Sequence, residues 1–366
     1  MDFAIIFEKK SKKFGTMENN VYLCSRNDED SRTWCPNQTI RVPAVHTIRT
    51  AGGSFFNQKA NIMENKKPQT VQQQVELLQD RGMSLDKAQA LAMLSQVSYF
   101  RLKPYWWDMR DQESDGGFLD TADFSLVIDR YNFDRTLRLI LFEAIEIIEI
   151  SLRTKIINHL SEANGSLWYL DNSLFMDKEL FREHLLDLKY EFDRSKDGFV
   201  EDFKQNNNWI YDELGGDNPD AWQIFEVATF GTLSKIYKNL NHQLPAKAAV
   251  AKDFGMYFSN DFSNWLEGIS VFRNMIAHHS RLWNFRLTKT PTVPKSYPNP
   301  WLKLEYTQNQ KKTPFFTISN MLYLCNAVRP DNQVKSNIKH LIASCTRVNL
   351  RRWGFVSGWE KEPIWR

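Results

Sequence analysis

The chain has 366 residues, of which 42% are hydrophobic, so it is long enough to bury a sizeable core in one large domain or two. Its net charge of +3 lies entirely in residues 1–62, where nine Lys and Arg face six Asp and Glu, while residues 63–366 are balanced at 38 each. Proteins that bind polyanions through broad electrostatic attraction are usually more basic. The composition therefore argues against such a protein, and any polyanion-binding surface must be local.

Cysteine usage and hydropathy bear on the compartment and on cofactors. The four cysteines, at positions 24, 35, 325 and 345, lie far apart and have no partners at metal-ligand spacing. Residues 3–7 are apolar, but this run is too short for a signal peptide or a membrane span. The sequence also lacks a Gly-rich phosphate loop, an HExxH motif and a nucleophile elbow. We expect a cytoplasmic protein that contacts no membrane and needs no metal or cofactor.

Residues 1–62 differ from the rest of the chain. They are polar, have no sustained apolar period and contain the pair Gly52-Gly53. Two interpretations stay open: a flexible extension, or an upstream mis-start ahead of translation from Met63. The intact mass of the native product distinguishes them.

Residues 63–125 are expected to form an N-terminal helical unit. Thr70 is a typical helix cap, Gly82 ends the first helix, and a second begins near Ser84. The following residues, 99–107, interleave aromatic rings with Arg101 and Lys103. Such rings can stack on nucleic-acid bases, although packing in the core is the interpretation we favour.

Residues 126–290 contain the strongest helical periodicity. Apolar side chains recur with helical spacing over residues 129–160, which predicts a long helix whose buried stripe comprises Leu137, Leu141, Ile145, Ile148, Leu152 and Ile156. A second, more charged stripe on the same helix includes Glu149 and Arg153. These two residues are typical of a salt-bridged surface, but they could also contact a functional site on a neighbouring helix.

The same region carries the most informative motif, in which Arg273 and His278 are separated by four residues. Imidazole can move a proton while guanidinium neutralises charge on phosphorus, so the pair suits metal-free cleavage of RNA. The apolar stripe of Trp265, Ile269, Phe272 and Ile276 predicts a helix, and both motif residues lie off that stripe. Five residues along a helix rotate a side chain by about 140° and advance it by about 7.5 Å, so the two converge only loosely.

Neighbouring polar residues are candidate supports for this chemistry. Asn274 lies one turn before His278 and could fix its tautomer, while Arg281 adds a second positive charge. Two basic clusters are candidate RNA contacts, although solvated helix faces explain them at least as well: Arg281, Arg286, Lys289 with Lys295, and Lys335, Lys339, Arg347, Arg351 with Arg352. Residues 291–366 are expected to form an extended, proline-rich loop and then a C-terminal helical region.

The run Arg273-Asn274-Met275-Ile276-Ala277-His278-His279-Ser280-Arg281-Leu282-Trp283-Asn284 resembles the signature of the Abi-like proteins of bacterial abortive infection. Further blocks resemble the same family in the same order, including residues 98–106, Phe133-Asp134-Arg135, residues 222–226 and 229–235, and Gly354-Phe355. The resemblance runs from about residue 66 to the C-terminus. Five ordered blocks are more specific than one short motif.

This resemblance implies an all-α fold: a HEPN-like helical bundle with an additional N-terminal helical unit and peripheral helices. In the HEPN group the Arg-x4-His motif is catalytic, which assigns Arg273 and His278, with Asn274, His279, Arg281, Glu149 and Arg153 as supporting residues. The resemblance also implies an RNA substrate, a homodimer with a composite active site, and in one branch a structured non-coding RNA partner. The rival interpretation is a non-catalytic HEPN scaffold that binds RNA or a partner protein.

Overall fold

Helices form all the regular structure in the computed structural model, which describes residues 68–114, 116–211 and 216–366. Within these ranges, extended segments pair only through isolated bridges, so no strand forms. The all-α prediction is confirmed. The α-helices are α1 Val71–Asp80, α2 Lys87–Gln96, α3 Tyr99–Leu102, α4 Phe124–Asn164, α5 Lys178–Arg194, α6 Gly198–Asn206, α7 Ala221–Ile224, α8 Phe230–Asn239, α9 Pro245–Asp253, α10 Ser259–Ala277, α11 Gln308–Lys311, α12 Pro314–Val328 and α13 Val334–Ser344.

Short 3₁₀ helices connect or extend several of these elements. They are Lys103–Met109, Trp168–Leu170, Asn172–Leu174, Leu350–Trp353, Trp359–Lys361 and Pro363–Trp365. The first of them follows α3 directly and carries Tyr105, Trp106 and Trp107.

The first helix begins where its capping residue predicts. Thr70 accepts a hydrogen bond from the backbone N–H of Gln73, and the Gln73 side chain accepts one from the backbone N–H of Thr70, which together form a capping box. Gly82 has a φ of +91°, a conformation that glycine adopts without strain, and it turns the chain toward α2. The predicted break between two N-terminal helices is thus confirmed.

The long helix α4 lies at the centre of the fold. All six residues of its predicted apolar stripe are buried. It begins at Phe124, earlier than the periodicity predicts, because Asp123 caps it by accepting a hydrogen bond from the backbone N–H of Ser125. Helices α9, α10, α12 and α13 all pack against α4.

The C-terminal helix α12 is the most deeply buried of these partners. Its first twelve residues, from Pro314 to Cys325, are all buried, so it is apolar on every side. The last three tryptophans of the chain, Trp353, Trp359 and Trp365, are also buried. The C-terminal region therefore contributes to the same core as α4.

The described residues all belong to one compact unit. Among them, no helix is both long and apolar enough to cross a bilayer. The interpretation of residues 1–62 falls outside the described ranges, and the boundaries drawn at residues 125 and 290 stay predictions.

Candidate active site

The motif helix α10 turns its apolar stripe into the core and its polar residues outward. Trp265, Ile269, Phe272 and Ile276 are buried, as their spacing predicts, whereas Asn274 and His278 are exposed and Arg273 is half-buried. The helix ends at Ala277. His278 is its C-cap residue, and its backbone N–H donates to the carbonyl of Asn274 at 3.0 Å. The imidazole therefore stands at the exposed end of a well-anchored helix.

The chain reverses immediately after His278. The backbone N–H of His279 donates to the carbonyl of Ile276 (3.0 Å), and that of Ser280 donates to the carbonyl of Met275 (2.8 Å), which is the Schellman pattern of a helix end. His279 has a φ of +57°, in the left-handed region where this pattern usually has glycine. An exposed histidine at such a position carries backbone strain of about 1 kcal/mol or more.

Because of that strain, His279→Gly is expected to raise the free energy of unfolding by about 0.5–1 kcal/mol, the released strain less the entropy of glycine. The midpoint of urea unfolding measures this shift. Asn284→Gly is the matched control: Asn284 also has a positive φ, +54°, but asparagine tolerates that region, so the gain there should be smaller. An unchanged or lower midpoint for His279→Gly would contradict the strain at this position.

Two distant side chains hold the segment that carries His278. The guanidinium of Arg101 donates to the carbonyl of His279. The backbone N–H groups of Leu282 and Trp283 donate to the carboxylate of Asp134 on α4, at 3.0–3.1 Å. The turn after α10 is thus held by Arg101 of α3 and by Asp134 of the central helix α4.

Asp134 is a buried junction between four parts of the chain. Its side chain is fully buried and pairs with Arg138, one turn along α4. It also accepts hydrogen bonds from the hydroxyl of Tyr105 (2.8 Å) and from the indole Nε1 of Trp353 (2.7 Å). Burial and the neighbouring Asp134 charge raise the pKa of Tyr105 well above its usual value, so the hydroxyl stays protonated as a donor.

Trp283, in the same turn, lies beside two arginines. The guanidinium carbons of Arg130 and Arg352 lie 4.6 Å and 5.8 Å from the centroid of its ring. Both arginines donate to the carboxylate of Asp108, at 2.8 Å and 2.9 Å, which balances part of their charge. The ring of Trp283 also packs edge-on against Trp353. These contacts fix the chain only five residues after His278.

Glu149 and Arg153 lie where α4 passes the motif helix. The Glu149 carboxylate is 3.8 Å from Nε of Arg273 and 3.5 Å from a terminal nitrogen of Arg153. Arg153 also donates to the carbonyls of Phe225 (3.0 Å) and Ala228 (2.9 Å), in the connection between α7 and α8. Glu149 therefore neighbours the motif arginine, whereas Arg153 ties α4 to that connection.

The remaining candidates are not all brought together. Among the described residues, no hydrogen bond joins Arg273 to His278. The side-chain oxygen of Asn274 lies 3.5 Å from Arg273 instead of contacting the imidazole. Arg281 donates to the carbonyl of Trp283 at 2.8 Å, and burial lowers its pKa, opposed by the nearby Tyr105 and Asp134. Its guanidinium thus points toward the core junction.

Three of the nine cations in the two basic clusters are paired with carboxylates of the protein. Lys289 pairs with Glu267, Arg347 with Asp123 and Asp129, and Arg352 with Asp108. Paired cations attract a phosphate backbone less than free ones, which favours the solvated-face interpretation for these three residues. In the described part of the chain, no group of three or more His, Cys, Asp or Glu residues could hold a metal ion.

An apolar strip lies exposed on α4 beside the motif. Leu139, Phe142 and Ile150 recur with helical spacing and are each about half exposed. Ile150 is next to Glu149, which contacts Arg273. On α10, Val271 is exposed on the same face as Asn274 and His278, at spacings of three and seven residues. Exposed apolar side chains therefore border the candidate site on both helices.

Sequence reasoning assigned no role to Asp134 and considered Arg101 only as a cation among rings that could stack on bases, although both lie inside the blocks that carry the family resemblance. The sequence signal that could have found them is a charged residue next to aromatic residues in each of these two blocks. Their partners, the His279 carbonyl and the Leu282 and Trp283 N–H groups, are backbone groups 148 or more residues away. No periodicity reveals such contacts.

Comparison with known families places this geometry in context. A family model described as Abi-like protein matches residues 92–284, just over half of the chain. The matched range contains Arg101, Asp134, Arg273 and His278, and it ends at Asn284. No curated protein and no solved structure gives a significant match.

Proposed function

The chain belongs to the Abi-like protein family, which implies a role in abortive infection, and from this premise we propose that it is a metal-independent endoribonuclease of the HEPN type. In this role it cuts RNA in phage-infected cells. The observation that carries the proposal is the exposure of His278 at the end of α10, on a turn that Arg101 and Asp134 hold in place, with Arg273 one and a half turns earlier.

The proposed reaction uses the ribose 2′-hydroxyl as nucleophile. The 2′-oxygen attacks phosphorus as its proton passes to a base, and the P–O5′ bond breaks as the departing 5′-oxygen gains a proton. His278 serves as the general acid or base. Arg273 neutralises the charge that develops on the phosphorane, a task that suits its planar fork. The products are a 2′,3′-cyclic phosphate and a 5′-hydroxyl.

The other candidate residues support this pair. Glu149 lies 3.8 Å from Arg273 and positions its side chain. Arg273 must therefore interact with both Glu149 and the incoming phosphate. Arg153 holds Glu149 in turn, at 3.5 Å. Asn274 and His279 are polar, exposed neighbours that can contact the RNA backbone. Arg281 supports the site indirectly, since its guanidinium bonds to the Trp283 carbonyl.

We further propose that two copies pair through the exposed apolar strip on α4 and the outer face of α10. A large exposed apolar surface next to functional polar residues is typical of an interaction site. Two copies joined there would bring two Arg273–His278 pairs to one cleft, so that the arginine of each copy could serve the histidine of the other. A structured non-coding RNA is a further candidate partner of this cleft.

Phe142→Glu is expected to weaken the dimer on the order of 100-fold and to reduce cleavage in parallel, because it buries an unpaired charge at the centre of the contact. Light scattering across a concentration series measures the dimer. Phe258→Glu is the matched control: Phe258 is 53% exposed against 49% for Phe142, but it lies at the opposite end of α10. Equal dimerisation of wild type and Phe142→Glu would overturn this interface.

The function is tested by incubating the purified full-length chain with total cellular RNA in excess EDTA. We expect cleavage to persist, with 5′ ends that polynucleotide kinase labels without prior dephosphorylation and 3′ ends that carry a cyclic phosphate. Cleavage that stops in EDTA contradicts the metal-independent mechanism. If the protein binds RNA but cuts neither total cellular RNA nor the RNA that co-purifies with it, the chain is a non-catalytic scaffold.

A further inference from the structure

Two large aromatic side chains near the candidate site, Phe100 and Trp107, are exposed to solvent. Phe100 is 79% exposed and Trp107 is 54% exposed, although the intervening Tyr105 and Trp106 are buried. Tyr105 and Trp106 thus pack in the core, as favoured from the sequence, while Phe100 and Trp107 do not. Large apolar rings left in water usually mark an interaction surface when they lie together.

Cations lie between and beside these two rings. The ammonium of Lys103 is 5.8 Å from the ring centroid of Phe100 and 5.8 Å from that of Trp107. The guanidinium of Arg110 lies 4.8 Å from the centroid of the Trp107 ring. Residues 99–110 contain one carboxylate, Asp108, which already accepts from Arg130 and Arg352. The surface therefore combines open rings with unneutralised positive charge.

The surface is connected directly to the candidate active site. Arg101, the residue after Phe100, donates to the carbonyl of His279, and His279 follows His278. A strand of RNA whose phosphate lies at His278 can therefore continue over Phe100, Lys103 and Trp107. The cations suit its backbone, and the rings suit its bases.

We propose that Phe100 and Trp107, with Lys103 between them, form a stacking platform for unpaired bases and restrict the substrate to single-stranded RNA. The proposal rests on the nuclease function and adds the substrate class to it. Base stacking on aromatic rings beside a positively charged track is the general mode of single-strand binding, and it is tolerant of sequence. Bases inside a duplex are already stacked and paired, so they cannot occupy the rings.

The test measures binding separately from cleavage. The probe is a fully 2′-O-methylated single-stranded oligonucleotide, which lacks the nucleophile and cannot be cut, with 2-aminopurine whose fluorescence falls when it stacks. Fluorescence anisotropy gives Kd for wild type, Phe100→Ala, Trp107→Ala and the double variant. We expect each ring to contribute about tenfold to Kd and the double variant to lose the 2-aminopurine quenching.

Matched variants separate stacking from general damage. Trp222→Ala removes a tryptophan of equal exposure, 52%, that lies outside the platform, and it should leave Kd unchanged. Trp107→Phe and Phe100→Tyr should restore most of the binding because they keep a ring. A duplex of the same sequence should bind at least about tenfold more weakly than the single strand.

The outcomes distinguish this proposal from the nuclease function. Loss of single-strand binding in the double variant supports the platform even if wild type cuts no RNA. If wild type cuts RNA but the double variant binds and cuts it equally well, the platform is wrong and the nuclease function stands. Equal affinity for duplex and single strand, or no RNA binding by wild type, also overturns the platform.

Discussion

Replacing His278 with alanine is expected to lower the rate of RNA cleavage by about 10²–10⁴-fold, the usual contribution of a general acid or base. The fold should not change, because His278 is exposed and its backbone N–H bond to Asn274 does not need the imidazole. Single-turnover cleavage of a labelled RNA in EDTA measures the rate. Circular dichroism and light scattering should show the same helicity and the same oligomeric state as wild type.

The control for this prediction is His340→Ala, which removes an exposed histidine from α13 and should cut RNA like wild type. Arg273→Lys is the informative companion, because lysine keeps the charge but lacks the planar fork, so its rate should also fall. An undiminished rate for His278→Ala would remove this residue from the mechanism.

Replacing Asp134 with alanine is expected to lower the free energy of unfolding by about 3–5 kcal/mol, a large part of the total stability of most proteins. The change leaves the buried Arg138 without its partner. It also leaves four buried donors without an acceptor: the Tyr105 hydroxyl, the Leu282 and Trp283 N–H groups and the Trp353 indole. A shift of the urea midpoint measures the loss.

Asp134→Asn is expected to be nearly as damaging, although it keeps the size of the side chain. Both carboxylate oxygens accept hydrogen bonds, and the amide would turn an NH₂ group toward donors on one side. Asp129→Ala is the control. It removes an aspartate from the same helix, also paired with an arginine, Arg347, but about 39% exposed, so it should cost at most about 1 kcal/mol. Equal losses in both variants would contradict the role of Asp134.

The fold could be predicted from the sequence where a helix buries one clear stripe, as α4 and α10 do. The six apolar residues of α4 and the four of α10 recur with helical spacing, and all are buried as expected. Helix starts were predictable where a capping residue signals them, as at Thr70. The start of α4 was placed too late because Asp123, its cap, precedes the strongest part of the periodicity.

The candidate site was predictable only in part. Its two central residues share one helix, so a short motif reveals them. The contacts that hold the site in place connect residues far apart in sequence, such as Arg101 with the His279 carbonyl, and they involve backbone groups that any residue type carries. For Arg153 and Arg281, the sequence suggested contacts that the structure does not show. Their charge suggested RNA contacts, but their guanidinium groups bond to carbonyls inside the protein.

The junction at Asp134 has a consequence for dividing the chain into fragments. A fragment limited to residues 92–284, the range that matches the family, would keep Asp134 and His278 but lose Trp353 and the whole of α12. The face of α4 that α12 covers would then be exposed to water. Such a fragment is expected to aggregate or remain unfolded. The extent of sequence similarity and the smallest autonomously folding unit thus have different boundaries in this chain.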